Sequence, residues 1–270
     1  MNVHKDDYIM DQVMAHLEEA KQYFDENSIV GIFLQGSQNY GLDYEGSDID
    51  TKLIICPTFK QIAFNKKPIS TTHVRENNEH IDFKDIRLYI NEFRKQNINF
   101  LEILFTPYCW VNPSYEHFWN TLVRHREPIA RYNAYRAVNA MRGMAYEKYS
   151  QMEKVMPHNA EIIERYGYEP KQLSHLMRLE DFMERYIANI SFKSCLTPVN
   201  EEEVMKAKLG GYPLEEAREK AKECLRHIDD MCKEYCETHE VITNDFVDNI
   251  LDWTQEDIMK AAMKKELEIY

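Results

Sequence analysis

Two aspartates one residue apart, Asp48 and Asp50, lie in the stretch GIFLQGSQNYGLDYEGSDIDTKLII, residues 31–55. Successive side chains of a strand point to opposite faces, so on a strand the two carboxylates project together and Ile49 projects away. Two such carboxylates in a dry site cannot both stay charged without a counter-charge. A hard divalent cation supplies one, and Mg²⁺ favours one or two carboxylates completed by substrate phosphates. Gly36 and Ser37 precede the pair by a loop of ten residues. Glycine lets the backbone approach a phosphate closely, and its N–H together with the serine hydroxyl can donate to triphosphate oxygens. Asp82, between Ile81 and Phe83 in a short alternating run, is a third carboxylate that a neighbouring strand could bring beside the pair. Three carboxylates so gathered suit a two-metal site, where one ion activates the attacking oxygen and both stabilise the phosphorus centre. The plain alternatives are a turn and strand start for Asp48 and Asp50, and an edge-strand surface position for Asp82.

The elements that must position these groups follow from periodicity. Ile9, Val13, Leu17, Ala20 and Phe24 recur at spacings of three and four, which predicts an amphipathic helix over 8–26. The apolar run 29–34 predicts a buried strand, 48–56 a second strand ended by Pro57, and the alternation of EHIDFK at 79–84 a third. Asp85 suits the cap of a helix whose apolar face is Ile86, Ile90 and Phe93. Residues 98–105, INFLEILF, are apolar and read as helix. Beyond about residue 114 the patterns are helical: 115–124, 128–155, 171–192, 199–207, 213–239, 243–253 and 255–268. The last opens at Thr254 with Asp257 three residues on, like a capping box. The first half is therefore βαβ-like and the second helical, with domains expected at 1–125 and 126–270.

Other groups carry weaker signals. Lys171, His175 and Arg178 stand at i, i+4 and i+7, so one helical face presents all three. Such a face suits a triphosphate, with Arg binding bidentately and Lys acting as a point charge; it equally suits a solvated surface. Glu102 lies inside an apolar run, as a buried functional carboxylate or as a helix residue reaching an arginine. Cys232, Cys236 and His239 share a helical face, but one straight helix seldom surrounds a tetrahedral ion, and the cysteines read as small core residues. Residues 57–75 carry Lys60, Lys66, Lys67 and Arg75 with no acidic residue, as a polyanion contact or an ordinary exposed loop. The 17 tyrosines fall mostly at core spacings, so packing rather than base stacking is their default.

Composition limits the partners. A net charge of −13 over 270 residues speaks against general duplex-DNA binding, which rests on Lys and Arg neutralising phosphates. No run approaches the roughly 20 apolar residues of a membrane span. The N-terminus lacks a basic region followed by an apolar one, and the six cysteines contain no CxxC, so a cytoplasmic chain with reduced thiols and no membrane partner is expected.

Gly-Ser, a ten-residue gap and Asp-Ile-Asp resemble the signature of the DNA polymerase beta superfamily of nucleotidyltransferases. Within it the chain is similar to the predicted nucleotidyltransferases of RNA-repair operons and phages, through SQNYGL at 37–42, GSDID at 46–50, NINFLEILF at 97–105, MRGMAY at 141–146 and YGYEPKQLSHLMRL at 166–179. The resemblance covers roughly residues 30 to 215. It implies an α/β (α+β) nucleotidyltransferase core with a small mixed sheet, followed by an all-helical domain. It also implies an Mg²⁺-dependent transferase that moves an NMP from an NTP, expected to be ATP, to an acceptor hydroxyl. On this reading Asp48, Asp50 and Asp82 are catalytic and hold two Mg²⁺ ions, while Gly36, Ser37, Lys171, His175 and Arg178 bind the nucleotide. The acceptor stays open between an RNA end, as in RNA repair, a protein hydroxyl in an adenylylating enzyme, and a small molecule. The rivals from other classes are a catalytically silent nucleotide-binding regulator and a helical scaffold that docks a partner.

Overall fold

The computed structural model describes residues 3–242 and 244–268. The chain divides into two compact units, one holding the chain up to Asn39 with Asp43–Tyr132 and the segment from Asn244, the other Tyr40–Leu42 with Asn133–Thr243.

The first unit runs α1 (Val3–Ala20), β1 (Ile29–Gln35), β2 (Asp50–Ile55), α2 (Phe59–Ala63), β3 (Ser70–Val74), β4 (His80–Asp85), α3 (Ile86–Arg94), α4 (Ile98–Leu101), β5 (Cys109–Val111), α5 (Glu116–Arg124) and α6 (Arg126–Ala130). Its strands form one mixed sheet in the order β3-β4-β2-β1-β5. β2 and β4 are parallel, and the β1–β2, β1–β5 and β3–β4 pairs are antiparallel. The periodic stripe of α1 covers one face of this sheet. Ile9, Val13, Leu17 and Ala20 pack with Ile32, Leu34, Ile49, Leu53, Ile55, Ile81 and Phe83, all nearly inaccessible. That closed face fixes the register, because a one-residue slip would turn every side chain of a strand over. On the opposite face Phe33 meets the Trp119 ring of α5 at 4.4 Å between centroids. Asp85 caps α3 as expected, its side chain accepting the Arg87 N–H at 2.9 Å.

The second unit is helical: α7 (Ala134–Gln151), α8 (Ala160–Tyr166), α9 (Pro170–Ile187), α10 (Phe192–Leu196), α11 (Glu201–Lys208) and α12 (Leu214–Thr238). α9 lies at its centre and packs against α7, α10, α11 and α12 through Leu173, Leu176, Leu179, Phe182 and Met183, all buried. Cys224 and Cys232 are buried on α12, as core residues.

The expected boundary at 125/126 and the assignment of everything after it to one helical domain do not hold. α13 (Asp245–Glu268) belongs with the sheet unit. Arg94 donates to Asp248 at 3.3 Å and Asp252 at 2.5 Å, Tyr132 donates to Asp248 at 2.7 Å, and the Phe59 N–H donates to Glu266 at 2.7 Å. These are contacts across more than a hundred residues of chain, which helical periodicity does not encode. α13 is also one helix rather than two. Thr254 is buried within it and caps nothing. Two short strands escaped the periodicity reading: β3 is an almost wholly exposed edge, and β5 has three residues. No helix among the described residues is long and apolar enough to cross a membrane.

Candidate active site

The antiparallel register of β1 and β2 places Gln35 opposite Asp50. Gly36 and Ser37, which leave the end of β1, therefore sit at the same end of the sheet where the chain through Asp48 enters β2 at Asp50. Gly36 has φ +97°, a left-handed conformation that a side chain would strain, so glycine is what lets the chain turn here. Ser37 opens a single 3-10 turn over Ser37–Tyr40. The loop is tied to the aspartates: Gln38 Nε2 donates to the Asp48 carbonyl at 2.9 Å, and Asn39 Nδ2 donates to the Leu34 carbonyl at 3.0 Å. The amide oxygens of Gln38 and Asn39 are buried with no hydrogen-bond partner among the described residues. They leave the loop with acceptors that a ligand's hydroxyl or amino groups can satisfy.

Ile49 is buried in the α1 core, while Asp48 on one side of it is exposed and Asp50 on the other is half-buried. The burial alternates as read, but β2 begins at Asp50 rather than Asp48, so Asp48 precedes the strand. Asp50 Oδ1 accepts the backbone N–H of His80 at 2.8 Å and lies 3.1 Å from His80 Nδ1.

Behind the pair, on the closed face, lies a buried polar network that sequence reasoning missed. His16 of α1 is fully buried; its Nδ1 lies 2.9 Å from Thr51 Oγ1 and its Nε2 3.0 Å from Glu79 Oε2. The other Glu79 oxygen accepts the N–H of Ile49 at 3.2 Å. Glu79 also accepts from Arg75 at 2.8 Å and Asn77 at 2.8 Å, and Arg75 donates onward to Glu19 at 2.7 Å. Glu79 thus grips the backbone between the two aspartates, and His16 grips the next residue. Burial lowers the His16 pKa, and the Arg75 charge adds to it against the opposing pull of Glu79. Burial pushes the Glu79 pKa up, but bonds from His16, Asn77 and Ile49 prevail and hold it below the usual carboxylate value. A histidine on the helix's apolar stripe, at i+3 from Val13, was the available signal.

Asp82 stands on the face of the sheet opposite α1, and both of its oxygens accept hydrogen bonds. The register sets Lys52 opposite both Phe33 and Asp82, and Thr72 opposite Asp82, so the four form a row across the sheet. Thr72 Oγ1 donates to Asp82 Oδ1 at 2.6 Å; Gln35 Nε2 at 3.3 Å and Lys52 Nζ at 3.4 Å donate to Oδ2. Burial works to raise the Asp82 pKa, but the Lys52 charge and the bonds from Thr72, Gln35 and Lys52 bring it below the ordinary value. Among the described residues no group of three His, Cys, Asp or Glu side chains stands ready to hold a metal ion. Two neighbouring carboxylates completed by a substrate's phosphates are a donor set of the kind Mg²⁺ favours, and Asp50 would offer it Oδ2, since its Oδ1 meets His80. The residues do not offer Asp82 as a ready third ligand. Lys52 was also missed, although it continues the 48, 50, 52 alternation onto the same face.

The remaining sequence-derived residues lie elsewhere. Lys171, His175 and Arg178 share α9 in the helical unit. Lys171 is exposed, His175 half-buried and Arg178 buried. The Arg178 guanidinium lies 3.9 Å over the Tyr40 ring, and its buried Nε has no hydrogen-bond partner among the described residues. Burial, then the charges of Arg178, Lys171, Lys148 and Lys208, hold the His175 pKa well below the usual imidazole value. Lys208 donates to the Leu42 carbonyl at 2.7 Å, so Tyr40–Leu42 is held within this unit by two cations. Glu102 is buried beside Tyr89. Within the basic stretch, Lys60, Lys66 and Lys67 are exposed while Arg75 turns inward to Glu19 and Glu79.

No protein-family model matches this chain, and a search of curated proteins returns no match.

Proposed function

We propose that the chain is a divalent-cation-dependent nucleotidyltransferase that moves an NMP from an NTP, with ATP as the first donor to try, to an acceptor hydroxyl. The observation that supports this best is the Gln35–Asp50 register, by which the chain leaves β1 for Gly36-Ser37 beside the point where Asp48-Ile49-Asp50 leads into β2. In this reading the acceptor oxygen forms a bond to the α-phosphorus, the bond to the β-phosphate oxygen breaks, pyrophosphate leaves, and the hydroxyl proton passes to water. Asp48 and Asp50 would hold a Mg²⁺ ion, whose chemistry is to neutralise phosphate charge and polarise the α-phosphate. The Gly36 N–H and the Ser37 hydroxyl donate to the β- and γ-phosphates, where they stabilise the leaving pyrophosphate. The sheet and its helices are then a nucleotidyltransferase core, as the resemblance implies.

The test is transfer from each α-labelled NTP in Mg²⁺, with and without short RNA, beside an Asp48→Asn/Asp50→Asn variant checked for folding. Label on RNA identifies an RNA-end acceptor, label on protein an adenylylating enzyme, and label on neither with pyrophosphate released a small acceptor or water. Undiminished transfer by the double variant overturns the assignment of the pair. NTP binding that is identical in EDTA and in Mg²⁺, with no transfer, makes the chain a silent nucleotide-binding regulator instead.

A further inference from the structure

We propose that the site works with one divalent ion, and that Lys52, held by Asp82, is a built-in positive charge standing where a second ion would otherwise be bound. This rests on the nucleotidyl-transfer reading and changes what that reading asks of Asp82.

The support is the row of side chains on the open face. Asp82 has donors on both oxygens, drawn from β1, β2 and β3, the strands around it. One donor is the ammonium of Lys52, a residue only 4% exposed and flanked in register by Phe33. Its Nζ also lies 4.5 Å from the centre of the Phe100 ring, and Lys84 Nζ lies 4.2 Å from the same centre. The negative face of that ring attracts both cations. A second metal ion on Asp82 would have to displace Lys52 and then stand close to two ammonium groups, with Asp82 as the carboxylate between them. Like charges at a partly buried site repel, and salt screens them less than on an open surface. Lys52 is also well placed to serve. It is two residues along β2 from Asp50 and on the same face, roughly 6.6 Å away at ~3.3 Å per residue. A phosphate carried by an ion at Asp48 and Asp50 comes within the field of that fixed charge. In this role Asp82 is a positioning residue for Lys52. The acceptor's proton goes to water, not to Asp82.

Counting Mn²⁺ ions by electron paramagnetic resonance, with an α,β-methylene NTP analogue bound, tests the proposal without turnover. The expected result is one ion per wild-type chain, one per Asp82→Asn chain, and loss of that ion in the Asp48→Asn/Asp50→Asn variant. The half-saturating Mg²⁺ concentration for transfer should stay within about twofold in Asp82→Asn. Lys52→Met, which removes the charge but keeps the length, should let a second ion bind, because Asp82 is then released. Lys52→Arg should keep the single ion and retain more transfer than Lys52→Met. Two ions in the wild type, one of them lost in Asp82→Asn, would overturn the proposal. A wild type that binds no ion with nucleotide present, indistinguishable from the Asp48→Asn/Asp50→Asn variant, would instead overturn the nucleotidyl-transfer reading and take this proposal with it.

Discussion

The two faces of the five-stranded sheet are built from the same strands and obey opposite rules. Beneath α1 the face is apolar, and its polar residues, His16, Thr51 and Glu79, bond to one another and to backbone. Across the sheet the alternate residues are Gln35, Asp50, Lys52, Asp82 and Thr72, a charged set on partly open ground. The closed face holds the register, and the open face uses it. Ile49 shows the join: its side chain is part of the core, its N–H is held by Glu79, and its neighbours on both sides are the carboxylates. The geometry at this end of the sheet therefore depends on packing beneath it.

That division is sharpest where the core is cut. Leu17→Ala removes a fully buried side chain from beneath the sheet. It should cost about 2–5 kcal/mol of stability by urea or thermal unfolding, as large-to-small core changes do. If the loss is near zero, α1 does not hold the closed face as described.

A smaller effect is expected from the polar exception on that face. Glu79→Gln keeps the shape but loses the charge that meets His16 and Arg75, and should cost about 1–3 kcal/mol at pH 7. It should also shift the acid sensitivity from the glutamate to the histidine range. His16 and Glu79 both have folded-state pKa values below their ordinary ones. The unfolded chain therefore takes up protons first, and stability falls as pH drops below roughly 6.5 for the histidine and again below roughly 4.3 for the glutamate. Below roughly pH 4.3 melting temperature against pH should be flatter in Glu79→Gln than in the wild type, whereas just below roughly pH 6.5 it should be steeper, because His16 loses the group that raises its pKa. Equal slopes would remove the network from the acid response.

The smallest expected effect lies on the open face. Thr72→Val deletes the hydroxyl that donates to Asp82 at 2.6 Å from an exposed edge strand. A stability loss of no more than about 1 kcal/mol is expected. The Asp82 pKa should move up toward its ordinary value, readable by carboxyl-carbon NMR titration, because one of the bonds favouring the charged form is gone. An unmoved titration would show that Lys52 and Gln35 alone set the state of Asp82.

Much of this site was legible in the chain because its signals are local. The Asp48-Ile49-Asp50 alternation, the Gly36-Ser37 turn, the α1 stripe and the Asp85 cap each depend on residues within one or two turns of one another. Lys52 belonged to the same alternation and was readable by the same rule. Tertiary structure decided the rest. That α13 returns to the sheet unit depends on Arg94 finding Asp248 and Asp252, partners more than 150 residues away. That Glu79 and His16 support the aspartates depends on β4 lying parallel beside β2 with α1 over both. That Asp82 faces Lys52, Gln35 and Thr72 depends on four strands coming into register. Periodicity assigns each residue to a face, because side-chain direction is a property of the local backbone. Which charges meet on that face is set by pairing between distant strands, and the burial of the whole apolar face, not any one residue's preference, selects that pairing.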